Sequence, residues 1–145
     1  HKVDGKERNV VVHRKGATRA FPAHRDEIPS KYRDLGQPVL IPGSMGTSSW
    51  ILLGQANSMD LSFGSTAHGA GRTMSRTKAR KNYSENDVKK SLNEKGIFIK
   101  ALTRDGVVEE TPQAYKDVDA VVNVSHNLGI ATKVAKLVPI GVIKG

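Results

Sequence analysis

One segment dominates the chain: Phe63-Gly64-Ser65-Thr66-Ala67-His68-Gly69-Ala70-Gly71-Arg72. It places a single histidine in a run of small residues, with an arginine four positions further on. Small residues let a ligand approach the backbone closely. A neutral imidazole can act as a nucleophile, a base or a metal ligand, and a guanidinium group binds anions. The segment therefore predicts a phosphate-handling site centred on His68, and these residues alone leave the three roles of the histidine open.

A basic segment follows, whose charged members are Arg76, Lys78, Arg80 and Lys81. The residues from 73 to 82 favour a helix, and this spacing gives the helix a basic face. Such a face can lie along a phosphate backbone. A solvated charged helix without a ligand is the alternative interpretation.

The composition describes one basic domain of 145 residues. Apolar residues make up 37% and charged residues 26%, which is typical of a globular chain. The formal net charge of +9 favours a polyanionic partner, most often a nucleic acid, over a basic protein without one. Aromatic residues are only 5% of the chain, which argues against a base-stacking sheet.

The sequence contains no cysteine, so disulfides and thiolate metal sites are excluded within this segment. No apolar run approaches the roughly 18 residues needed to cross a bilayer, and no signal peptide is visible. We therefore expect a cytoplasmic protein without a membrane partner. Since the chain begins with His1 rather than with Met, we also expect a fragment of a longer protein.

Two further motifs each follow a predicted strand. The run Val10–Val12 leads into His13-Arg14-Lys15-Gly16-Ala17-Thr18-Arg19, which is either an anion or metal site or a solvated basic loop. The strand 37–41 leads into Pro42-Gly43-Ser44-Met45-Gly46-Thr47-Ser48-Ser49, where glycines and hydroxyl groups can form an anion-binding nest. The second motif lacks the Gly-Lys-Ser/Thr ending of a Walker A loop, and an ordinary Gly/Ser turn is the alternative.

Local patterns predict an α+β domain with mixed or antiparallel sheets and flanking helices. We expect further strands at 50–53, 59–63, 97–102 and 138–143, and turns at 56–60 and 104–106. We expect helices after the cap Ser84, from about 109 to 112 onward, and along the stripe Val118, Val121, Val122, Ser125 and Leu128.

Together these motifs resemble a known family. The His13–Phe21 and Pro42–Ser49 motifs, Ser65–Arg72 and the terminal Gly141-Val142-Ile143-Lys144-Gly145 stand in the order found in RtcB-type RNA ligases. The resemblance extends over essentially the whole chain and corresponds to the C-terminal third or so of the family protein. It implies part of the RtcB-like fold, and a GTP- and manganese-dependent ligase of tRNA splicing and RNA repair.

In that family the histidine of the His-Gly-Ala-Gly-Arg motif carries GMP through a phosphoramidate bond. The resemblance therefore implies that His68 is the catalytic nucleophile. It also implies that the enzyme joins RNA 3′-phosphate or 2′,3′-cyclic phosphate ends to 5′-hydroxyl ends. Its expected cofactors are GTP and Mn²⁺, and its expected partners are tRNA exon halves or broken RNA, with an archease-type activator. A neutral imidazole is a competent nucleophile near pH 7, since its reference pKa is about 6.5.

The same resemblance implies the roles of other residues. The implied nucleotide-binding residues are Pro42, Gly43, Ser44, Met45, Gly46, Ser49, His68, Gly69, Ala70, Gly71, Tyr115 and Lys144. His13 is implied to be a manganese ligand. Arg14, Lys15, Arg72 and Arg76 are implied to face RNA or phosphate.

The chain departs from the family pattern at its metal site. The family's other metal ligands are an Asp, a Cys and two His of the N-terminal part, which this chain does not contain. His13 alone cannot hold two Mn²⁺ ions. We therefore expect residues 1–145 to be the C-terminal portion of a single catalytic domain, without its N-terminal metal-binding part and inactive alone. A non-catalytic RNA- or nucleotide-binding module is the alternative function.

Overall fold

The computed structural model describes residues 1–144 and shows an α+β arrangement of short elements. Its strands are β1 (Lys2–Val3), β2 (Lys6–Glu7), β3 (Ala17–Arg19), β4 (Pro38–Ile41), β5 (Ser49–Gly54), β6 (Ser65–Ala67), β7 (Phe98–Ala101), β8 (Ala131–Leu137) and β9 (Gly141–Lys144). Its helices are α1 (Asn57–Ser62), α2 (Arg76–Asn82), α3 (Glu85–Glu94), α4 (Arg104–Glu109) and α5 (Val118–Asn127). Single 3₁₀ turns lie at Ser30–Tyr32 and Pro112–Ala114. The predicted fold class is confirmed.

The strands form several small sheets rather than one large one. The central sheet has the order β4-β5-β8 and is antiparallel. The pairs β1–β2 and β3–β6 are antiparallel ribbons, whereas β7 and β9 pair in parallel. The mixture of antiparallel and parallel pairing agrees with the sequence prediction.

The buried side chains form two clusters. The first lies between the central sheet and α5, and contains Ala20, Val39, Ile41, Leu52, Ala70, Val118, Val122 and Ala131. The second lies beneath α3 and α4, and contains Met45, Val88, Leu92, Ile97 and Val107. Because Ile41 belongs to the first cluster and Met45 to the second, the loop 42–48 is anchored in both. This anchoring fixes the predicted anion-binding loop between two packed cores.

Several helix boundaries match their sequence signals. Ser84 caps α3, and its hydroxyl accepts a hydrogen bond from the Asp87 backbone N–H at 3.2 Å. Helix α5 buries Val118, Val122 and Ser125, as its stripe predicts, although Leu128, just beyond the end of the helix, is about half exposed. Among residues 1–144, no helix is long and apolar enough to cross a membrane.

The predicted strand at 10–12 is wrong. Val11 is 84% exposed, and the segment pairs with no described strand. β-Branched residues favour a strand only where a partner strand and a buried face are available. This segment has neither within residues 1–144.

The predicted turn at 56–60 and strand at 59–63 are also wrong, because α1 occupies Asn57–Ser62. An alternation of three apolar residues is too short to distinguish a strand from one and a half turns of helix. The helix ends at Phe63, whose φ of 52° is left-handed, and Gly64 follows with φ of 64°. These two residues turn the chain into β6.

Near the C-terminus, the predicted turn at 104–106 is the first turn of α4. Thr103 caps this helix by accepting the Gly106 backbone N–H at 3.2 Å, a signal that the Asp-Gly pair obscured. The predicted strand at 138–143 is partly right, since β9 covers Gly141–Lys144. Strand β8 was missed, because Lys133 and Lys136 interrupt its apolar pattern.

Candidate functional site

His68 lies directly after β6 and is exposed at the mouth of a cleft of about 380 Å³. The other lining residues are Pro42, Gly43, Gly69, Ala70, Gly71, Arg72 and Tyr115. Three predicted motifs that are distant in sequence therefore meet around one imidazole. Exposure of His68 leaves its ring accessible to a ligand in the cleft.

A short backbone contact joins the histidine segment to the Pro42–Ser49 loop. The Ala70 N–H donates to the Pro42 carbonyl at 2.9 Å, and Ala70 itself is buried in the first cluster. A Cβ on Gly69 would lie 3.2 Å from the same carbonyl oxygen. The small residues after His68 thus let two backbones approach, as well as leaving room in the cleft.

The Pro42–Ser49 loop is closed by its own hydroxyl groups. The Ser44 backbone N–H donates to Thr47 Oγ1 at 2.7 Å, and the Gly43 N–H donates to Ser49 Oγ at 3.3 Å. A Cβ on Gly43 would lie only 2.0 Å from the Ser48 carbonyl oxygen, so only glycine fits this turn. Pro42 and Gly43 line the cleft with His68.

The remaining loop residues assigned to the nucleotide are Ser44, Met45, Gly46 and Ser49. Met45 is buried in the second cluster, and the Ser44 and Ser49 hydroxyls are engaged within the loop. Gly46 borders a different cleft, beside Lys95. These four residues shape the loop, and their contact with a nucleotide stays a prediction.

Tyr115 forms the opposite wall of the cleft through a backbone bridge to Arg72. The Lys116 N–H donates to the Gly71 carbonyl at 2.9 Å, and the Thr73 N–H to the Ala114 carbonyl at 2.8 Å. These contacts hold the segment after α4 against the histidine motif. Tyr115 therefore lines the same cleft as His68, and its contact with a nucleotide stays a prediction.

A carboxylate that the sequence prediction missed lies behind this wall. Glu110 accepts hydrogen bonds from the Tyr115 hydroxyl and, at 3.3 Å, from Arg72 Nη1. Burial alone would raise the pKa of Glu110, but the Tyr115 hydrogen bond and the charges of Lys144, Arg72 and Arg76 outweigh it and lower that pKa. The charge of Lys144 therefore acts on Glu110, together with the charges of Arg72 and Arg76. A pair of glutamates at a helix end carries no sequence signal that distinguishes it from a solvated terminus.

The pKa of Tyr115 is shifted the other way. Burial raises it first, and the hydrogen bond and negative charge of Glu110 raise it further. At neutral pH the proton thus stays on the phenol and the charge stays on the carboxylate. This arrangement is fixed and polar, and it lies at the edge of the cleft that contains His68.

The His13–Arg19 motif is brought beside β6 because Ala17 pairs with Ala67. Arg14 Nε donates to Ser65 Oγ at 2.8 Å, and its Nη2 donates to the Phe63 carbonyl at 3.0 Å. Arg14 thus fastens the loop to the entry of β6. His13 and Lys15 are exposed.

A divalent metal does not fit the described residues. Within residues 1–144, no group of three or more His, Asp or Glu side chains could hold an ion, and the sequence has no cysteine. His13 offers one imidazole, whereas a manganese site needs several oxygen or nitrogen ligands. Any such site would need ligands from outside this part of the chain.

The cations on and beside α2 differ in how far nearby carboxylates neutralise them. Arg76 is 68% exposed and lies 3.5 Å from Glu109 and 3.7 Å from Glu110. Arg80 pairs with Glu109 and Asp105 on α4. The basic face of α2 is therefore partly neutralised by α4, and its remaining exposed cations are Lys78 and Lys81.

Comparison with known proteins agrees with the motifs. A family model described as tRNA-splicing ligase RtcB matches residues 1–145. The chain is 56% identical over 145 residues to the tRNA-splicing ligase RtcB of Nanoarchaeum equitans, and 54% identical over 145 residues to those of Methanococcus maripaludis and Thermococcus kodakarensis. Each match covers 100% of this chain and 30% of the relative. The chain, which spans about 30% of the length of these relatives, therefore belongs to the RtcB family.

Proposed function

We propose that this chain is the C-terminal portion of the catalytic domain of an RNA ligase, and that His68 carries the nucleotide. The observation that carries the proposal is the position of His68. Its exposed imidazole lies at a cleft formed by the Pro42–Gly43 turn, the Gly69–Gly71 segment and Tyr115. Membership of a family named for tRNA-splicing ligases supports RNA ends as the substrate.

The proposed chemistry begins with attack of a neutral His68 nitrogen on the α-phosphorus of GTP. A P–N bond forms, the bond to the β-phosphate oxygen breaks, and pyrophosphate leaves. An oxygen of an RNA 3′-phosphate then attacks the same phosphorus and releases the imidazole. Finally a 5′-hydroxyl attacks the activated 3′-phosphate, loses its proton and displaces GMP, which leaves a 3′,5′-phosphodiester. For a 2′,3′-cyclic phosphate end, attack of water first breaks the bond from phosphorus to the 2′-oxygen, which leaves a 2′-hydroxyl and the 3′-phosphate that enters the same steps.

The residues of the cleft have separate proposed roles. Gly69, Ala70 and Gly71 are proposed to line the nucleotide. At Gly69 a Cβ would lie 3.2 Å from the Pro42 carbonyl oxygen, and at Gly71 it would meet only Lys116, at 4.0 Å. Tyr115 and Lys144 are proposed to contact the guanine base. Pro42 and Gly43 are proposed to contact the sugar or phosphates.

Exposed cations are proposed to contact RNA phosphates. Lys15 and Arg76 are exposed, and the net charge of +9 favours a polyanion. The proposal includes an archease-type activator through the family resemblance alone. Because the described residues do not complete a metal site, no step is assigned to Mn²⁺, and the ligand role of His13 stays a prediction.

The test is transfer of label from α-³²P-GTP, with Mn²⁺ present, to the complete protein. We expect covalent, acid-labile label on the wild-type protein and none on His68→Ala. His126→Ala is the matched control, because His126 is also exposed but lies on α5 away from the cleft. Label retained on His68→Ala would contradict the proposal. Reversible GTP binding without label on the wild type would support the binding-module alternative.

A further inference from the structure

Glu110 lies behind the cleft rather than in it. Its side chain is 21% exposed, and it does not belong to the residues that line the cavity around His68. It nevertheless touches both side chains that form the far wall, Tyr115 and Arg72. No direct contact with a ligand is needed for it to influence what the cleft binds.

We propose that Glu110 is a positioning residue that fixes the direction of the Tyr115 hydroxyl proton, and so decides which nucleobase group Tyr115 can contact. This inference rests on the proposed function, since it assumes that a nucleotide occupies the cleft. It concerns a residue that neither the motifs nor the family resemblance pointed to.

The hydrogen-bond capacity of the tyrosine carries the argument. A phenolic hydroxyl has one donor and two acceptor lone pairs. Its donor goes to Glu110, and one lone pair accepts Arg72 Nη1 at 3.1 Å. One lone pair remains, so Tyr115 can only accept from a ligand.

The chemical class of the ligand group follows. A group that meets Tyr115 must donate an N–H or O–H, whereas Lys144 can only donate. Guanine carries two neighbouring donors, the ring N1–H and the exocyclic amine, beside a carbonyl acceptor. Its edge therefore satisfies both residues. The lowered pKa of Glu110 and the raised pKa of Tyr115 keep this polarity in place at neutral pH.

Glutamine at position 110 would reverse the polarity without changing the volume. Its amide oxygen would face Arg72, since an NH₂ group there would oppose the guanidinium donors. The NH₂ group would then face the Tyr115 oxygen and donate to it. The Tyr115 proton would have to turn away from position 110, toward the cleft, where it would oppose the guanine donors.

A purely structural role for Glu110 makes a different prediction. In that case the carboxylate would only neutralise Arg72, and its loss would change KM for GTP equally with or without the Tyr115 hydroxyl. Glu109 offers a matched control, because its carboxylate is about as buried and pairs with Arg76 and Arg80, yet the structure shows no hydrogen bond between Glu109 and Tyr115. Its contact with Arg72 is through the backbone carbonyl, which substitution preserves.

The experiment uses the complete protein and follows a single turnover of His68 guanylylation, in which kcat is the maximum rate and KM the GTP concentration that gives half of that rate. Four variants are compared with the wild type: Glu110→Gln, Glu109→Gln, Tyr115→Phe and the double variant Glu110→Gln/Tyr115→Phe. We expect Glu110→Gln to raise KM about tenfold, the upper end for the loss of one hydrogen bond between neutral groups, with kcat within twofold. Glu109→Gln should leave KM within twofold, and Glu110→Gln should add less than twofold in the Tyr115→Phe background.

The outcomes separate this inference from the proposed function. Label on wild-type His68 supports the proposed nucleotide-carrying role of His68 regardless of Glu110. With that label present, an unchanged KM in Glu110→Gln overturns the inference. A full tenfold effect of Glu110→Gln that persists without the Tyr115 hydroxyl also overturns it, because it would show a structural role. Thermal unfolding of each variant identifies any loss of fold.

Discussion

The guanidinium carbon of Arg72 lies 4.9 Å from the centre of the Tyr115 ring, and Arg72 Nη1 donates to the Tyr115 hydroxyl at 3.1 Å. The same guanidinium donates to Glu110 and to the backbone carbonyls of Met74 and Glu109. A guanidinium has five N–H groups, so four are committed within the protein. Arg72 is therefore a clamp for the cleft wall, and its predicted role toward phosphate rests on one remaining N–H.

Arg72→Lys should destabilise the protein by about 1–3 kcal/mol, because an ammonium cannot replace a planar fork that serves four acceptors. The measurement is urea unfolding near pH 7. Arg76→Lys is the control, since Arg76 is 68% exposed and substitution of such a surface residue changes stability by about 0.5 kcal/mol or less. Equal stabilities of the two variants would contradict the clamp.

Elements with local signals were predictable from the sequence. The Ser84 cap and the Val118–Ser125 stripe depend on neighbouring residues, so they identified α3 and α5. The strands predicted at 10–12 and at 59–63 failed because short apolar patterns do not report which partner strand or core is available. Tertiary context decided both segments.

The candidate site was predictable only in part, for a related reason. The histidine motif and the Pro42–Ser49 loop were visible as motifs, and family resemblance assigned them roles. Glu110 was not visible, because its importance comes from contact with Arg72, 38 residues away. Contacts between residues far apart in the chain form only on folding, and no periodic pattern in the sequence predicts them.

Gly43 and Gly69 should respond differently to alanine. A Cβ on Gly43 would lie 2.0 Å from the Ser48 backbone oxygen, so the turn must move, and we expect a loss of about 1–3 kcal/mol from overpacking. A Cβ on Gly69 meets the Pro42 oxygen at 3.2 Å, so a shift of a few tenths of an ångström accommodates it. Urea unfolding of both variants provides the measurement. A greater loss in Gly69→Ala than in Gly43→Ala would contradict this view of the loop.

Asp119 should contribute stability that is lost in acid. The hydrogen bond from Lys136, followed by that from Trp50, holds the pKa of Asp119 below its usual value. A carboxyl whose pKa is lower in the folded state stabilises the fold above its unfolded pKa of about 3.9. That contribution disappears as the pH falls through the lower, folded pKa. The loss of folding stability as the pH decreases should be smaller in Asp119→Asn than in the wild type.

Trp50 offers a direct probe of that titration. It is the chain's single tryptophan, and its indole N–H donates to Asp119 Oδ1 at 2.7 Å. Protonation of Asp119 should therefore change Trp50 fluorescence, with a midpoint below the usual aspartate pKa of about 3.9. The transition should be absent from Asp119→Asn. A midpoint at or above the usual value would show that the hydrogen bonds do not lower the pKa.

The buried hydroxyls of Thr66 and Ser125 should behave as a coupled pair. Thr66 Oγ1 lies 2.8 Å from Ser125 Oγ and joins β6, the strand directly before His68, to α5. Thr66→Val or Ser125→Ala leaves the other hydroxyl without this partner, so each should cost about 1–3 kcal/mol. The double variant removes both polar groups and should cost less than the sum of the single variants. Urea unfolding of the four proteins measures this coupling, and strict additivity would show that the two hydroxyls do not depend on each other.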